Sequence, residues 1–210
     1  MIVLQVIPQL DAGGAERTTI EVAEAIVKAG GRALVASEGG RLEPELTAAA
    51  GELVRMPVAS KNPLELWQNM HRMIALVRQE KVDIIHARSR APAWSAKWSA
   101  DRTEAHFVTT YHGTYNARSA LKRRYNSVMA KGERVIANSE FIRDHVMAEH
   151  GLAAQDITVI PRGVDLARFD RSAVGADRVS ALAEAWSVDL SADRPIALFP
   201  ARLTGWERAT

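Results

Sequence analysis

Two adjacent glycines, Gly13 and Gly14, follow the first apolar run of the chain and precede a helical pattern that begins at Glu16. Paired glycines let backbone N–H groups approach an anion at a helix N-terminus, where the helix dipole favours negative charge. The spacing does not match G-x-G-x-x-G, so the dinucleotide-binding fingerprint is absent. This loop is therefore a candidate phosphate contact, and a tight turn that uses two glycines is the alternative.

Two histidines, His86 and His112, occupy the carboxyl ends of two predicted strands, in the segments Ile-Ile-His-Ala-Arg88 and Thr-Thr-Tyr-His-Gly113. Residues at such positions line the crevice of an open α/β sheet. A lone histidine is more often a hydrogen-bonded structural residue than a catalyst, but the equivalent placement of this pair favours a site. The six histidines lack metal-ligand spacing and there is no cysteine, so no metal site is predicted.

The segment Ala117–Arg134 is rich in basic residues and is predicted to be helical. Its apolar stripe is expected to consist of Leu121, Tyr125, Val128 and Met129. Basic residues border this stripe, and such an arrangement suits an anionic membrane surface. The candidates for membrane contact are Lys122, Arg124 and Lys131. The alternative is an ordinary solvated helix that packs its stripe on the sheet.

Short β-rich runs alternate with helical patterns along the chain, and several of the runs are unbroken Val/Ile stretches. Such runs are typical of parallel strands with helices on both faces, so we expect a Rossmann-like, doubly wound parallel α/β sheet. The predicted strands are Ile2–Ile7, Arg32–Ser37, Glu52–Val58, Val82–Ala87, His106–Tyr111, Arg134–Asn138, Ile157–Ile160 and Pro195–Phe199. The predicted helices include Glu16–Ala29, Leu64–Lys81, Phe141–His150 and Asp177–Trp186.

Composition excludes several classes of protein. The 210 residues contain 27 Lys and Arg against 25 Asp and Glu, and a net charge of +2 is too small to indicate a nucleic-acid partner. The absence of cysteine excludes a disulfide framework and fits a cytoplasmic protein. The apolar N-terminal run breaks at Pro8 and lacks a basic flank, which indicates a buried strand rather than a signal peptide. No run is long enough to span a bilayer, so the protein is expected to be cytoplasmic, with at most peripheral contact at the inner face of the membrane.

Taken together and in this order, these segments resemble the family 4 retaining glycosyltransferases of the GT-B architecture. The matching segments are Gly-Gly-Ala-Glu-Arg17, His-Ala-Arg88, Thr-Tyr-His-Gly113, Ala-Asn-Ser139, Val-Ile-Pro-Arg-Gly-Val-Asp165 leading to Arg168-Phe-Asp, and Pro200-Ala-Arg-Leu-Thr204. Each is weak alone, but the ordered set is specific and covers essentially the whole chain.

The resemblance implies two Rossmann-like domains that face each other across a cleft, the first binding the acceptor and the second a nucleotide-sugar, with no metal and no cofactor. It implies that Gly13 and Gly14 approach the donor diphosphate, that His112 lies at the reaction centre, and that Arg202 pairs with the donor phosphates. The residues expected in the acceptor-side cleft are Glu16, Arg17, His86, Arg88, Asn138 and Ser139. One departure from the family is that Trp206 is followed by Glu207, where a lysine is usual.

The implied domain organisation is an acceptor-side domain over residues 1–190, followed by residues 191–210 as the first strand of an otherwise missing nucleotide-sugar domain. The expected activity of the parent protein is transfer of a sugar from a nucleotide-diphosphate-sugar to a cell-envelope glycan or glycolipid, such as a lipopolysaccharide core, with retention at the anomeric carbon. The 210-residue chain alone is expected to be inactive. The alternatives are a nucleotide-sugar 2-epimerase of the same fold, or a truncated chain that binds without catalysis.

Overall fold

The computed structural model describes residues 1–115, 119–166, 169–192 and 194–198. Seven parallel strands form one sheet in the order β3-β2-β1-β4-β5-β6-β7. Their bounds are β1 Ile2–Val6, β2 Arg32–Ser37, β3 Glu52–Arg55, β4 Ile84–Ala87, β5 His106–Tyr111, β6 Arg134–Ala137 and β7 Ile157–Val159. The predicted Rossmann-like sheet is confirmed, and the predicted strands within it are correct to within a few residues.

The first strand, β1, lies inside the sheet between β2 and β4, and its residues Val3 to Val6 are buried. Val6 lies opposite Ala36 of β2 on one side and Ala87 of β4 on the other. Burial on both faces explains the unbroken apolar run that opens the sequence. The strand order reverses between β1 and β4, so the loops after these strands diverge to opposite sides and leave a crevice at the carboxyl edge.

Helices connect the strands, with bounds α1 Gly14–Lys28, α2 Glu43–Ala48, α3 Pro63–Glu80, α4 Arg90–Ala100, α5 Ala120–Asn126, α6 Glu140–His150 and α7 Ala176–Ala185. The short α2 and the alanine-rich α4 were not predicted. Asn62 caps α3 by accepting a hydrogen bond from the Leu64 N–H (2.9 Å). Two apolar clusters form the core, a smaller one around α1 and β2 and a larger one around α3, α4, β5 and β6.

The predicted helix over Ala117–Arg134 is wrong in its length and in part of its apolar stripe. The α-helix α5 ends at Asn126 and continues as a 3-10 helix over Ser127–Ala130. Val128 and Met129 of the predicted stripe are fully buried, whereas Leu121 is 78% exposed. Residues 116–118 lie outside the described part of the chain.

Contacts between residues divide the chain into two units, Met1–Arg162 and Gly163–Thr210. The second unit contains a 3-10 helix at Arg171–Ala173 and the exposed helix α7. The predicted strand over Pro195–Phe199 is absent over residues 195–198, since a strand needs a hydrogen-bonded neighbour and the described residues supply none. The assignment of residues 1–190 and 191–210 to two domains stays a prediction.

Candidate functional site

The carboxyl edge of the sheet brings together most of the candidate residues. Tyr111, Ala137 and Val159 lie opposite one another on β5, β6 and β7. The residues that follow these strands therefore emerge side by side at one edge, next to the loops after β1 and β4. The residues collected there are Gly13, Gly14, Arg88, His112, Asn138 and Arg162.

His112 is held from both its backbone and its ring. The Asn138 side chain donates from Nδ2 to the His112 carbonyl oxygen (3.2 Å), and Arg162 donates from Nη2 to His112 Nδ1 (3.1 Å). Burial, together with the positive charges of Arg88 and Arg162, lowers the pKa of His112 to about 3. The ring is therefore neutral at pH 7, and because Nδ1 accepts a hydrogen bond, its proton is on Nε2.

The Nε2 atom of His112 is buried and has no hydrogen-bond partner among the described residues. An N–H group in this condition is a hydrogen-bond donor available to a substrate, since leaving it unpaired costs free energy. Asn138 Oδ1 is likewise buried without a partner. The reaction-centre position that the resemblance gave to His112 thus coincides with two unsatisfied polar atoms at the crevice.

Arg162 was not among the predicted site residues, although it belongs to the Val-Ile-Pro-Arg-Gly-Val-Asp165 segment that resembles the family. The available signal was its place two residues after a short predicted strand, near the carboxyl edge of the sheet. Its guanidinium packs against the glycine loop, because a Cβ atom added at Gly14 would lie 1.8 Å from Arg162 Nη1. A larger residue at position 14 would displace the Arg162 guanidinium from this position.

The neighbouring Gly13 is packed by an acid. A Cβ atom at Gly13 would lie 2.5 Å from Glu16 Oε2, and the φ angle of Gly13 is 150°, which L-residues rarely adopt. The backbone therefore favours glycine at position 13, whereas at position 14 the close approach of Arg162 favours it. The loop precedes the N-terminus of the 15-residue helix α1, where backbone N–H groups favour an anion.

Arg88 lies at the carboxyl end of β4, where its backbone N–H donates to the Val6 carbonyl oxygen (3.0 Å). It is only 3% exposed, and its Nε and Nη2 atoms have no hydrogen-bond partner in the described part of the chain. Burial and the nearby charge of Arg162 lower the pKa of Arg88 to about 10, so the side chain keeps its charge at pH 7. The expected acceptor-side arginine is thus a buried cation.

His86 has a structural environment, unlike His112. It is buried, and its Nε2 shares a hydrogen bond with the Thr110 hydroxyl on the adjacent strand (2.7 Å). Burial first, and then the positive charge of Arg88 and the neighbouring His112, lower its pKa well below 6.5. The hydrogen bond to Thr110 gives His86 a structural partner on the adjacent strand.

Ser139 and Arg17 have partners that explain them structurally. The Ser139 hydroxyl accepts from the Ile142 N–H (3.2 Å) and caps α6. Arg17 pairs with Glu45 of α2, which is the first cause of its raised pKa. This ion pair lines a cavity of about 390 Å³ beside Gly13, together with Asp11, Ala12, Arg41 and Leu42. The cavity adjoins the glycine loop and has room for a polar group.

The basic residues of the α5 region lie apart from this cluster. Lys122 and Arg124 are exposed on α5, and Lys131 follows the 3-10 helix, with its Nζ 5.0 Å from the centre of the Trp94 ring. Arg202 lies outside the described residues. Within the described ranges, no group of three or more His, Asp or Glu side chains could hold a metal ion, and no helix there is both long and apolar enough to cross a membrane.

The model of the family described as "Glycosyltransferase Family 4" matches residues 12–168. A glycosyltransferase from Rickettsia africae ESF-5 has a similar structure (38% identity, TM-score 0.82), covering 98% of this chain and 54% of its own. Anabaena Alr3699/HepE in complex with UDP-glucose is more distant (18% identity, TM-score 0.72, coverage 89% and 50%). A UDP-N-acetylglucosamine 2-epimerase from Rickettsia bellii shares the fold as well (14% identity, TM-score 0.57, coverage 87% and 51%).

The chain thus spans about half the length of these solved structures. A comparison with curated proteins finds no match. The match to the family model covers both glycines of the loop, His86, Arg88, His112 and Arg162, so the crevice residues all lie within the region that defines the family.

Proposed function

This chain belongs to glycosyltransferase family 4 and has the Rossmann-like fold of a GT-B N-terminal domain, and from that premise we propose that its complete protein transfers a sugar from a nucleotide-diphosphate-sugar to a glycan or glycolipid. The family match over residues 12–168 carries this proposal. The match also favours sugar transfer over 2-epimerisation, because similarity to an epimerase at 14% identity extends to the fold alone.

We propose that His112 contributes a hydrogen bond rather than a proton transfer. Its Nδ1 already accepts from Arg162, and its Nε2 carries the proton of the neutral ring. The ring therefore has no free lone pair with which to take a proton from an acceptor hydroxyl. The Nε2–H group can donate to an oxygen of the transferring sugar, and such a donor is most effective where charge develops in the transition state.

The glycine loop and the arginines complete the proposed division of roles. Backbone N–H groups at Gly13 and Gly14 are placed at the start of α1, where a diphosphate oxygen is favoured. Positive charge from Arg162 next to Gly14 adds to this effect. With these charges supplied by the protein, we propose a reaction that needs no metal ion. From the similarity to family 4 we also propose that the configuration of the anomeric carbon is retained. Glu16, Arg17, Asn138 and Ser139 border the acceptor side.

A membrane-associated acceptor is supported by the surface of α5. Leu121, Lys122, Arg123 and Arg124 are exposed on this short helix. An apolar side chain among basic ones suits peripheral binding to an anionic lipid surface. We therefore propose a cell-envelope acceptor, such as a lipopolysaccharide core, and a cytoplasmic protein that touches the inner face of the membrane.

The test is an assay of the complete protein with a panel of nucleotide-sugars and membrane glycolipid acceptors, with and without EDTA. We expect acceptor-dependent release of the nucleoside diphosphate, unaffected by EDTA, and a product whose anomeric configuration by NMR is that of the donor. Conversion of the donor to its C2 epimer without an acceptor would show the epimerase alternative to be correct. An inverted product would overturn the stereochemical part of the proposal alone.

A further inference from the structure

Arg88 is a buried guanidinium, and part of its hydrogen-bonding capacity is unused within the described residues. Its Nε and Nη2 atoms, which together form one edge of the guanidinium fork, have no partner in the described ranges. A buried charge without a partner costs several kcal/mol of stability. The pKa of Arg88 remains far above 7 despite burial, so the group does not escape this cost by losing its proton.

A second guanidinium, that of Arg162, adds positive charge near the first. Arg162 lowers the pKa of Arg88 through its positive charge, and it lies against Gly14 while donating to His112 Nδ1. Two like charges in this arrangement repel each other. No salt bridge joins either arginine to an acid within the described residues, although Glu21 raises the pKa of Arg88 slightly as the weakest of three causes.

The groups around the two arginines do not neutralise them. His86 and His112 are both uncharged at pH 7, because burial lowers the pKa of each. The nearest acid of the glycine loop, Glu16, packs against Gly13. The crevice therefore combines two positive charges, a free N–H edge on Arg88 and the N-terminus of α1, a combination that is complementary to a small anion.

We propose that Arg88 and Arg162 form a binding site for a phosphate or carboxylate group carried by a substrate. The Nε–Nη2 edge of Arg88 binds two oxygens of the anion at once, and Arg162 contacts it from the side of the glycine loop. The source of the anion rests on the proposed function: it is the donor diphosphate, or a charged group on the acceptor. Anion binding itself does not depend on sugar transfer.

The first experiment measures the thermal stability of the 210-residue chain in phosphate and in chloride of equal ionic strength. We expect phosphate to raise the Tm of the wild-type protein, since a ligand of the folded state stabilises it by mass action. Arg88→Met is expected to weaken phosphate binding about 10–100-fold, the cost of losing a charged hydrogen-bonded pair. The matched control, Arg102→Met, removes an exposed arginine that follows α4 and should respond to phosphate as the wild type does.

A second readout separates a binding role from a structural one. Without phosphate, Arg88→Met should have a Tm equal to or above that of the wild type, because an uncompensated buried charge is replaced by an apolar side chain of similar length. Arg88→Lys keeps the charge but loses the planar fork, and is expected to bind phosphate about tenfold more weakly. If all the variants respond to phosphate as the wild type does, or Arg88→Lys binds as tightly, the site is wrong.

Two further probes identify the source of the anion. UDP that displaces phosphate, and whose affinity falls in Arg88→Met, would identify the donor diphosphate. If the binding of glycerol 3-phosphate depends on Arg88 and the binding of UDP does not, the anion is a charged group on the acceptor. If the wild-type protein binds anions but transfers no sugar, only the proposed function is contradicted. If it transfers sugar but its anion binding does not depend on Arg88, only the anion site is overturned.

Discussion

Arg88 at the end of β4 and Lys122 on α5 carry the same charge in very different surroundings. Arg88 is buried next to another guanidinium, and burial is the first cause of its lowered pKa. Lys122 is exposed on a short helix with Arg123 and Arg124 beside it in sequence. At physiological salt, dissolved ions screen interactions between exposed charges that are more than about 8–10 Å apart, but they screen buried charges much less.

This difference determines what each group of cations can do. A desolvated pair of arginines interacts strongly with one anion in one geometry, and its effects should be large and sensitive to the shape of the side chain. An exposed basic surface interacts with many anions, each weakly and in a manner that depends on salt. Basic residues alone are therefore a poor indicator of function unless their burial is known.

The largest effect is expected at the buried cluster. In the complete protein, His112→Ala should lower kcat by about 10²–10³-fold, because a donor aimed at the transferring sugar is lost from a water-poor site. Steady-state kinetics with a nucleotide-sugar would measure this change, and circular dichroism would confirm the fold. The control is His71→Ala, which removes an exposed histidine of α3. Near-normal turnover in His112→Ala would return His112 to a purely structural role.

A smaller effect is expected in the pH dependence of stability. The pKa of His112 is lowered to about 3 in the folded state, so between this value and about 6.5 the unfolded chain binds more protons than the folded chain. The free energy of unfolding should therefore fall as the pH falls from 6.5 to 5, by up to about 2 kcal/mol from His112. His86 should contribute in the same direction, because its pKa is lowered too.

Urea unfolding at a series of pH values would measure this slope. His112→Gln should flatten it, whereas His71→Gln should leave it unchanged. Glu52 and Glu133 also have lowered pKa values. The stability that their ionised forms contribute is lost only at more acidic pH, and this loss is the same in both variants. Equal slopes for wild type and His112→Gln would mean that His112 is solvated and that the crevice is not the desolvated site described above.

The smallest effect per charge is expected on α5. Changing Lys122 and Arg124 to Gln should weaken binding to vesicles that contain anionic lipid by about 1 kcal/mol per charge at low salt. Co-sedimentation with vesicles would measure it, and added salt should reduce the difference. Lys131→Gln is the matched variant, since Lys131 lies over the Trp94 ring and its loss should cost about 0.5 kcal/mol of stability instead. Equal vesicle binding by wild type and double variant would exclude α5 as a membrane contact.

Much of the fold could be predicted because its signals are local. The seven sheet strands are short apolar runs, and the caps at Asn62 and Ser139 are each readable from one residue and the helix that follows. The stripe on α5 was predicted only in part. Val128 and Met129 are buried, but Leu121, in the first turn of α5, is exposed. Helical periodicity indicates which face a residue occupies, but whether the core reaches that residue depends on tertiary packing.

By itself, the sequence determined the parallel α/β sheet, the crevice at its carboxyl edge, the placement of Gly13 and Gly14 at the start of the first helix, and that of His86, Arg88 and His112 at strand ends. Spacing alone could not distinguish the two histidines. The resemblance placed His112 at the reaction centre, and only the structure gives His86 a hydroxyl partner and leaves His112 Nε2 without one among the described residues. Nor could the sequence show that Arg162 contacts His112 and approaches Gly14. Strand ends are encoded in local apolar runs, but which side chains meet there depends on the order of strands in the sheet, and that order is fixed only when the whole core packs.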